Sequence, residues 1–143
     1  MPLQSDADIA ALLRDTQTIA LKIASPKPQR DSNKVLKFLV KQGYEVYPIN
    51  PGHAGEEIAG RRVYADLSEV PVAIDLVDIF RRSEDVAPIV MKAIELGARA
   101  IWMQLGIVNE EIAAEAEAAG LKVVMDRCPA IDIPAFQSSG LMA

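Results

Sequence analysis

The sequence predicts an α/β fold, with a mostly parallel sheet of five or six strands covered by helices on both faces. Three observations carry this. Short apolar runs alternate with longer amphipathic stretches along the 143 residues, the pattern of strands and helices taken in turn. A glycine closes each of three amphipathic stretches, at Gly43, Gly97 and Gly120, and an apolar run follows each one; returns this short favour parallel strands. Residues 73–80 are largely apolar on both faces, as an interior strand covered on two sides must be.

Residues 5–15 read as an opening helix, with Ser5 or Asp6 as N-cap and Ile9, Leu12 and Leu13 as its buried stripe. The first strand follows at 18–24. Residues 25–31 carry Pro26 and Pro28, which remove ladder donors, so this stretch is a loop that ends at Ser32 as a helix N-cap. The helix over 32–42 sets Val35, Leu36 and Leu39 on one face and Lys34, Lys37 and Lys41 mostly on another. Past Gly43, in the position of a left-handed cap, a strand begins at Tyr44. A short strand at 62–64 precedes the longer one at 73–80. Asp75 and Asp78 are expected near its ends or on caps, because carboxylates are rarely fully buried. A helix from about Glu84 to Gly97 leads to a strand at 98–103, and one from Asn109 to Gly120 leads to a strand at 121–125. Residues 137–143 read as a loop end or flexible tail.

Composition narrows the function. A chain of this length buries enough surface to hold a core without staples, and it favours one domain over residues 1–143. One Cys forbids an internal disulfide, and one Cys with one His cannot make a standard structural zinc site. The net charge of −5 argues against general nucleic-acid binding. No apolar run reaches the roughly 18–20 residues of a membrane helix, and the first residues lack the basic-then-apolar order of a secretory signal. A cytoplasmic protein is expected.

In an open parallel sheet, ligands bind beyond the carboxyl ends of the strands near a switch in strand order. Lys22, Lys27, Arg30, Arg81 and Arg82 fall in or beside the corresponding loops. They predict a local anion site on an acidic protein, supported by the N–H groups of the helix near Ser32. Equally, basic loop residues can simply keep turns soluble. There is no Gly-x-Gly-x-x-Gly and no Gly-Lys-Ser/Thr segment, so ordinary NAD and ATP sites are disfavoured. His53 reads as an exposed loop residue, Cys128 as a buried, unreactive thiol, and Trp102 and Met103 as core or pocket lining.

Five ordered segments resemble the small stand-alone CoA-binding proteins, similar in turn to the amino-terminal CoA-binding domain of the succinyl-CoA synthetase alpha subunit. They are Ala24-Ser25-Pro26-Lys27-Pro28-x-Arg30-Asp31, Tyr47-Pro48-Ile49-Asn50-Pro51, Val77-Asp78-Ile79-Phe80-Arg81-Arg82-Ser83-Glu84, Trp102-Met103-Gln104-Leu105-Gly106 and Met125-Asp126-Arg127-Cys128-Pro129. The resemblance covers nearly the whole chain and implies a single Rossmann-like, doubly wound domain. It further implies that the backbone and hydroxyl of Ser25, with Lys27 and Arg30, hold CoA phosphates, at a site that also counts Ala24 and the Ser32 hydroxyl, and that Pro48 and Asn50 border the nucleotide. Ile79, Phe80 and Arg81 would flank adenine and phosphate, while Gln104 and Gly106 approach the pantetheine arm.

Where the family keeps a glycine just before the Ala-Ser pair, this chain has Ile23; a branched side chain there obstructs close backbone approach to phosphate. The synthetase works through a phosphorylated histidine supplied outside this domain, and no matching residue occurs here. The expected function is therefore non-catalytic binding of coenzyme A or an acyl-CoA, by a monomer or homodimer. The alternatives are a protein-interaction scaffold with a weakened CoA site and, behind it, an acyl-CoA enzyme using Cys128.

Overall fold

In the computed structural model, which describes all 143 residues, five parallel strands form one sheet. They are β1 (Thr18–Lys22), β2 (Glu45–Ile49), β5 (Leu76–Ile79), β6 (Ala100–Met103) and β7 (Lys122–Val124), in the order β2-β1-β5-β6-β7. A separate antiparallel pair, β3 (Glu57–Ile58) and β4 (Arg61–Arg62), lies between β2 and β5 in the chain. The helices are α1 (Asp6–Asp15), α2 (Asp31–Lys41), α3 (Ala87–Glu95), α4 (Glu110–Ala118) and α5 (Pro129–Ser139). This is the doubly wound, Rossmann-like arrangement expected from the sequence.

Strand alternation divides the core into two layers. Ile19, Leu21, Leu76 and Trp102 join α1, α2 and α5 in one apolar cluster; Ala20, Val77, Ile79 and Met103 join α3 and α4 in the other. The helix ends follow from sequence chemistry. Ser5 accepts the Asp8 N–H at 3.2 Å and caps α1. Gly43, Gly97 and Gly120 leave α2, α3 and α4 with φ between +75° and +99°, a conformation that costs a glycine little.

Several boundaries differ from the sequence reading. The helix expected from Glu84 is split into a 3₁₀ turn, Ser83–Asp85, and α3, which starts beside Pro88. The strand expected at 62–64 is β4, and Tyr64 instead bridges to Ile49. The expected N-cap Ser32 lies inside α2; Arg30 is at the cap position and makes no side-chain cap bond. The supposed tail belongs to α5 through Ser139, because Phe136 is buried and Gly140 supplies a left-handed cap. Asp75 sits just before β5, near a strand end as predicted. Asp78 does not: it lies inside the central strand, between Leu21 and Trp102 in register, and is fully buried.

Candidate functional site

After β1 the chain turns one way, through α2 to β2, and later returns on the other side as β5. The switch in strand order thus falls between β1 and β5, and their carboxyl ends open into a cleft of about 1160 Å³. The loop after β1 forms one wall and is tied down at several points. Ala24 N donates to Ile49 O at 3.0 Å, and Asn50 Nδ2 donates to Ala24 O at 2.6 Å. Asn33 Nδ2 donates to Ser25 O at 2.8 Å, and Lys27 N donates to Ser25 Oγ at 3.2 Å. A loop with two prolines and four such ties presents its side chains from a fixed backbone.

The electrostatics are cationic. Lys27, Arg30, Lys34, Arg81 and Arg82 line the cleft against Asp31 and Glu84, so positive charge dominates locally on a chain of net −5. Arg82 is engaged with Glu84 at 3.4 Å and Asp85 at 3.3 Å, and Arg81 stands 4.0 Å from Asp85. Lys27, Arg30 and Lys34 form no ion pair within the chain, which leaves their charge for a ligand. The N–H groups of Asp31 and Ser32 begin α2 on the same wall, where no intrahelical carbonyl reaches them.

Beyond the cations the cleft becomes less polar. Ile23 and Phe80 are half-buried, Leu105 and Ile131 are exposed at the rim, and Cys128 is buried at the wall. Gln104, only 5% exposed, reaches the cleft from the end of β6. Its side-chain amide lies 2.6 Å from Asp78 Oδ1 and 3.2 Å from Oδ2. Gly106 N donates to Asp126 Oδ1 at 2.6 Å, fixing the turn that follows. One cleft therefore gathers several cations, a set of apolar side chains and the amide of Gln104, which suits a polyanion bearing a long amphipathic arm.

Of the residues expected at the site, Ala24, Ser25, Lys27, Arg30, Ser32, Asn50, Phe80, Arg81, Gln104 and Gly106 line this cleft together. Pro48 and Ile79 do not. Pro48 is buried in β2, and Ile79 points into the α3/α4 layer, because strand alternation puts it on the face opposite Asp78. Lys22 is not among the lining residues either, and Lys34, one turn into α2, takes the place expected for it. Asn50 lines the cleft with its amide engaged at both ends, since Oδ1 also accepts from Gly52 N at 2.9 Å. Ile23 lines the cleft, at the phosphate approach where the sequence placed it, whereas Ile131 was missed as a lining residue. Ile131 sits one helical position beyond Ala130, on a helix whose start was taken only as a motif end.

The sequence profile of the CoA binding domain matches residues 17–134. This chain belongs to the CoA-binding domain family. The matched span runs from β1 into α5 and includes every residue that lines the cleft. Among relatives of this CoA-binding domain, the uncharacterized protein YneT of Bacillus subtilis (strain 168) is 36% identical over 124 residues, covering 87% of this chain and 90% of its own. Prb, the PH1109 protein redesigned for binding, superposes with a TM-score of 0.90 at 36% identity, over 96% of this chain and 95% of that one. The dinucleotide-forming acetyl-coenzyme A synthetase 1 of Ca. Korarchaeum cryptofilum, in complex with phosphate and ADP, is 27% identical with a TM-score of 0.66. There the match takes 80% of this chain but 27% of the larger one.

Proposed function

We propose that this protein binds coenzyme A or an acyl-CoA in the carboxyl-edge cleft without catalysing a reaction on it. The supporting observation is the convergence of Lys27, Arg30 and Arg81 with the start of α2 around one cleft, in a chain of the CoA-binding domain family. Phosphates pair with these cations and with the free N–H groups of the helix, while the pantetheine arm runs along Phe80 toward Gln104 and Gly106. Binding without turnover fits the side chains present. His53 Nδ1 is held 2.9 Å from Glu56 Oε2, and Cys128 is 7% exposed, so the nucleophile is packed rather than presented. The protein acts in the cytoplasm, where this thiol stays reduced.

Calorimetric titration with CoA tests the reading. Binding in the roughly micromolar to millimolar range, weakening as salt rises, is the expected result. A salt-insensitive isotherm, or equal binding of dephospho-CoA and a neutral pantetheine fragment, contradicts it.

A protein-interaction scaffold is the second reading, favoured by the exposure of Leu105 (56%) and Ile131 (58%) at the rim of the cleft. Native mass spectrometry separates the two. Retained CoA supports the first, and a tight protein complex with an empty cleft supports the second; the same spectrum distinguishes monomer from homodimer.

A further inference from the structure

Asp78 is the fully buried carboxyl of the sheet, and the reading above gives it no role. It lies in the central strand with Leu21 and Trp102 beside it in register. Its side chain has one polar partner, the Gln104 amide. That amide belongs to a residue lining the cleft and makes no other side-chain hydrogen bond.

The proton on Asp78 decides which way the amide faces. A carboxylate accepts from Nε2 and turns Oε1 toward the cleft; a neutral carboxyl donates to Oε1 and turns Nε2 outward. Two observations select the neutral form. Burial pushes the carboxyl well above the ordinary range, with no charge acting against the shift. No cation and no backbone N–H reaches the carboxyl, so nothing offsets the loss of water that an ionised form would suffer there.

The surroundings contain nothing that would ionise it. The charged groups of α1 (Asp6, Asp8, Arg14, Asp15) and of α2 (Asp31, Lys34, Lys37, Lys41) are exposed. On α5 and the turn before it, Asp132 is bound by Arg127 at 2.8 Å, Asp126 is exposed and accepts from Gly106 N, and Cys128 is a thiol. On β1, Leu21 is the register partner of Asp78, and strand alternation puts Lys22 on the opposite face of the sheet.

We propose that Asp78 is a positioning residue that donates to Gln104 Oε1, so that Gln104 presents its N–H₂ to a carbonyl oxygen of the CoA pantetheine arm or its thioester. The proposal rests on the CoA reading and adds a polarity to it: the deep end of the cleft is a donor site for a carbonyl. A ligand that offers only N–H groups at that depth finds no acceptor in Gln104.

The experiment uses the intact chain. The 13C shift of the Asp78 carboxyl, followed against pH in the unmodified protein, is expected to report a neutral acid at pH 7; an ionised carboxyl there overturns the proposal whatever the ligand does. CoA and acetyl-CoA are then titrated into the parent, Asp78→Asn and Asp78→Leu. Asn also donates to Oε1, so its affinity is expected within about twofold of the parent, while Leu frees the amide and weakens binding about three- to tenfold. As pH rises through the ionisation of Asp78, the parent loses affinity relative to Asp78→Asn. A folded Asp78→Asn that binds as weakly as Asp78→Leu overturns the proposal. A thioester contact makes acetyl-CoA more sensitive than CoA to Asp78→Leu, whereas a pantetheine carbonyl makes the two equally sensitive. No binding of CoA by the parent overturns the parent reading and the ligand role of Gln104 with it; CoA binding beside an ionised Asp78 overturns this inference alone.

Discussion

At the amino edge of the sheet, Asp75 closes the approach to β5; three residues on, Asp78 lies inside the same strand, next to the carboxyl-edge cleft. The two carboxyls are treated in opposite ways. Burial raises the Asp75 carboxyl, but its Oδ2 accepts from Gln17 N at 2.9 Å and Thr18 N at 3.1 Å, and these bonds outweigh burial and hold it below the ordinary range. Asp78 has the burial without backbone donors, so it stays raised. Each edge also has a cavity. The amino-edge one, about 440 Å³, is lined by Asp15 and Asp75 as well as Arg99 and Lys122, so its charges balance. In the carboxyl-edge cleft, cations outnumber acids. The difference shows that the amino edge is arranged to satisfy its own backbone, while the carboxyl edge is left with charge to offer.

The largest expected effect lies at the carboxyl edge. Lys27→Ala with Arg30→Ala is expected to weaken CoA binding about a hundredfold with little change in melting temperature, since charge-assisted contacts are strong and both residues are exposed. Calorimetry and thermal melting check the pair of statements. At the amino edge the balance reverses. Asp75→Ala strips two backbone N–H groups of their acceptor and is expected to cost about 1–3 kcal/mol of stability, with CoA affinity unchanged. Because the folded Asp75 is lowered, its contribution is present above about pH 4 and fades as acid protonates it. The gap between parent and Asp75→Ala in denaturant melts therefore narrows at low pH. Asp78→Asn behaves in the opposite sense: a raised carboxyl loses stability as pH rises from about 4, so this variant gains on the parent toward neutrality and converges with it in acid.

Two smaller effects refine the description of the cleft. Ile23→Gly is expected to strengthen CoA binding several-fold by clearing the backbone approach. The stability cost is less than the roughly 2–5 kcal/mol of a fully buried isoleucine, since Ile23 is half-buried. Unchanged affinity would show that Ile23 does not obstruct the ligand. Cys128 is expected to resist iodoacetamide at neutral pH and to react only after denaturation. Rapid native labelling that CoA abolishes would favour the enzyme alternative.

The recurring order of helix, glycine and strand was legible because Gly43, Gly97 and Gly120 each mark a left-handed exit. The cationic loop was legible because Lys27 and Arg30 flank two prolines. What escaped reading is long-range. Asp78 and Gln104 are paired only because β5 and β6 are neighbours, and no local pattern announces a carboxyl whose partner comes from the next strand. Alternation within β5 hid the fate of Ile79, which depends on which face the cleft occupies. The end of α5 was obscured by Pro134 inside the helix and by the polar Gln137-Ser138-Ser139, whereas burial of Phe136 keeps the helix going.

The most direct test of the account is an amide chemical-shift map of the 15N-labelled protein titrated with CoA. Shifts at Ser25, Arg30, Ser32, Phe80, Gln104 and Gly106, with Gly97, Arg99 and Gly120 at the opposite edge unmoved, are the result predicted. Saturable shifts centred on the amino-edge residues, or none at the carboxyl edge, would contradict it.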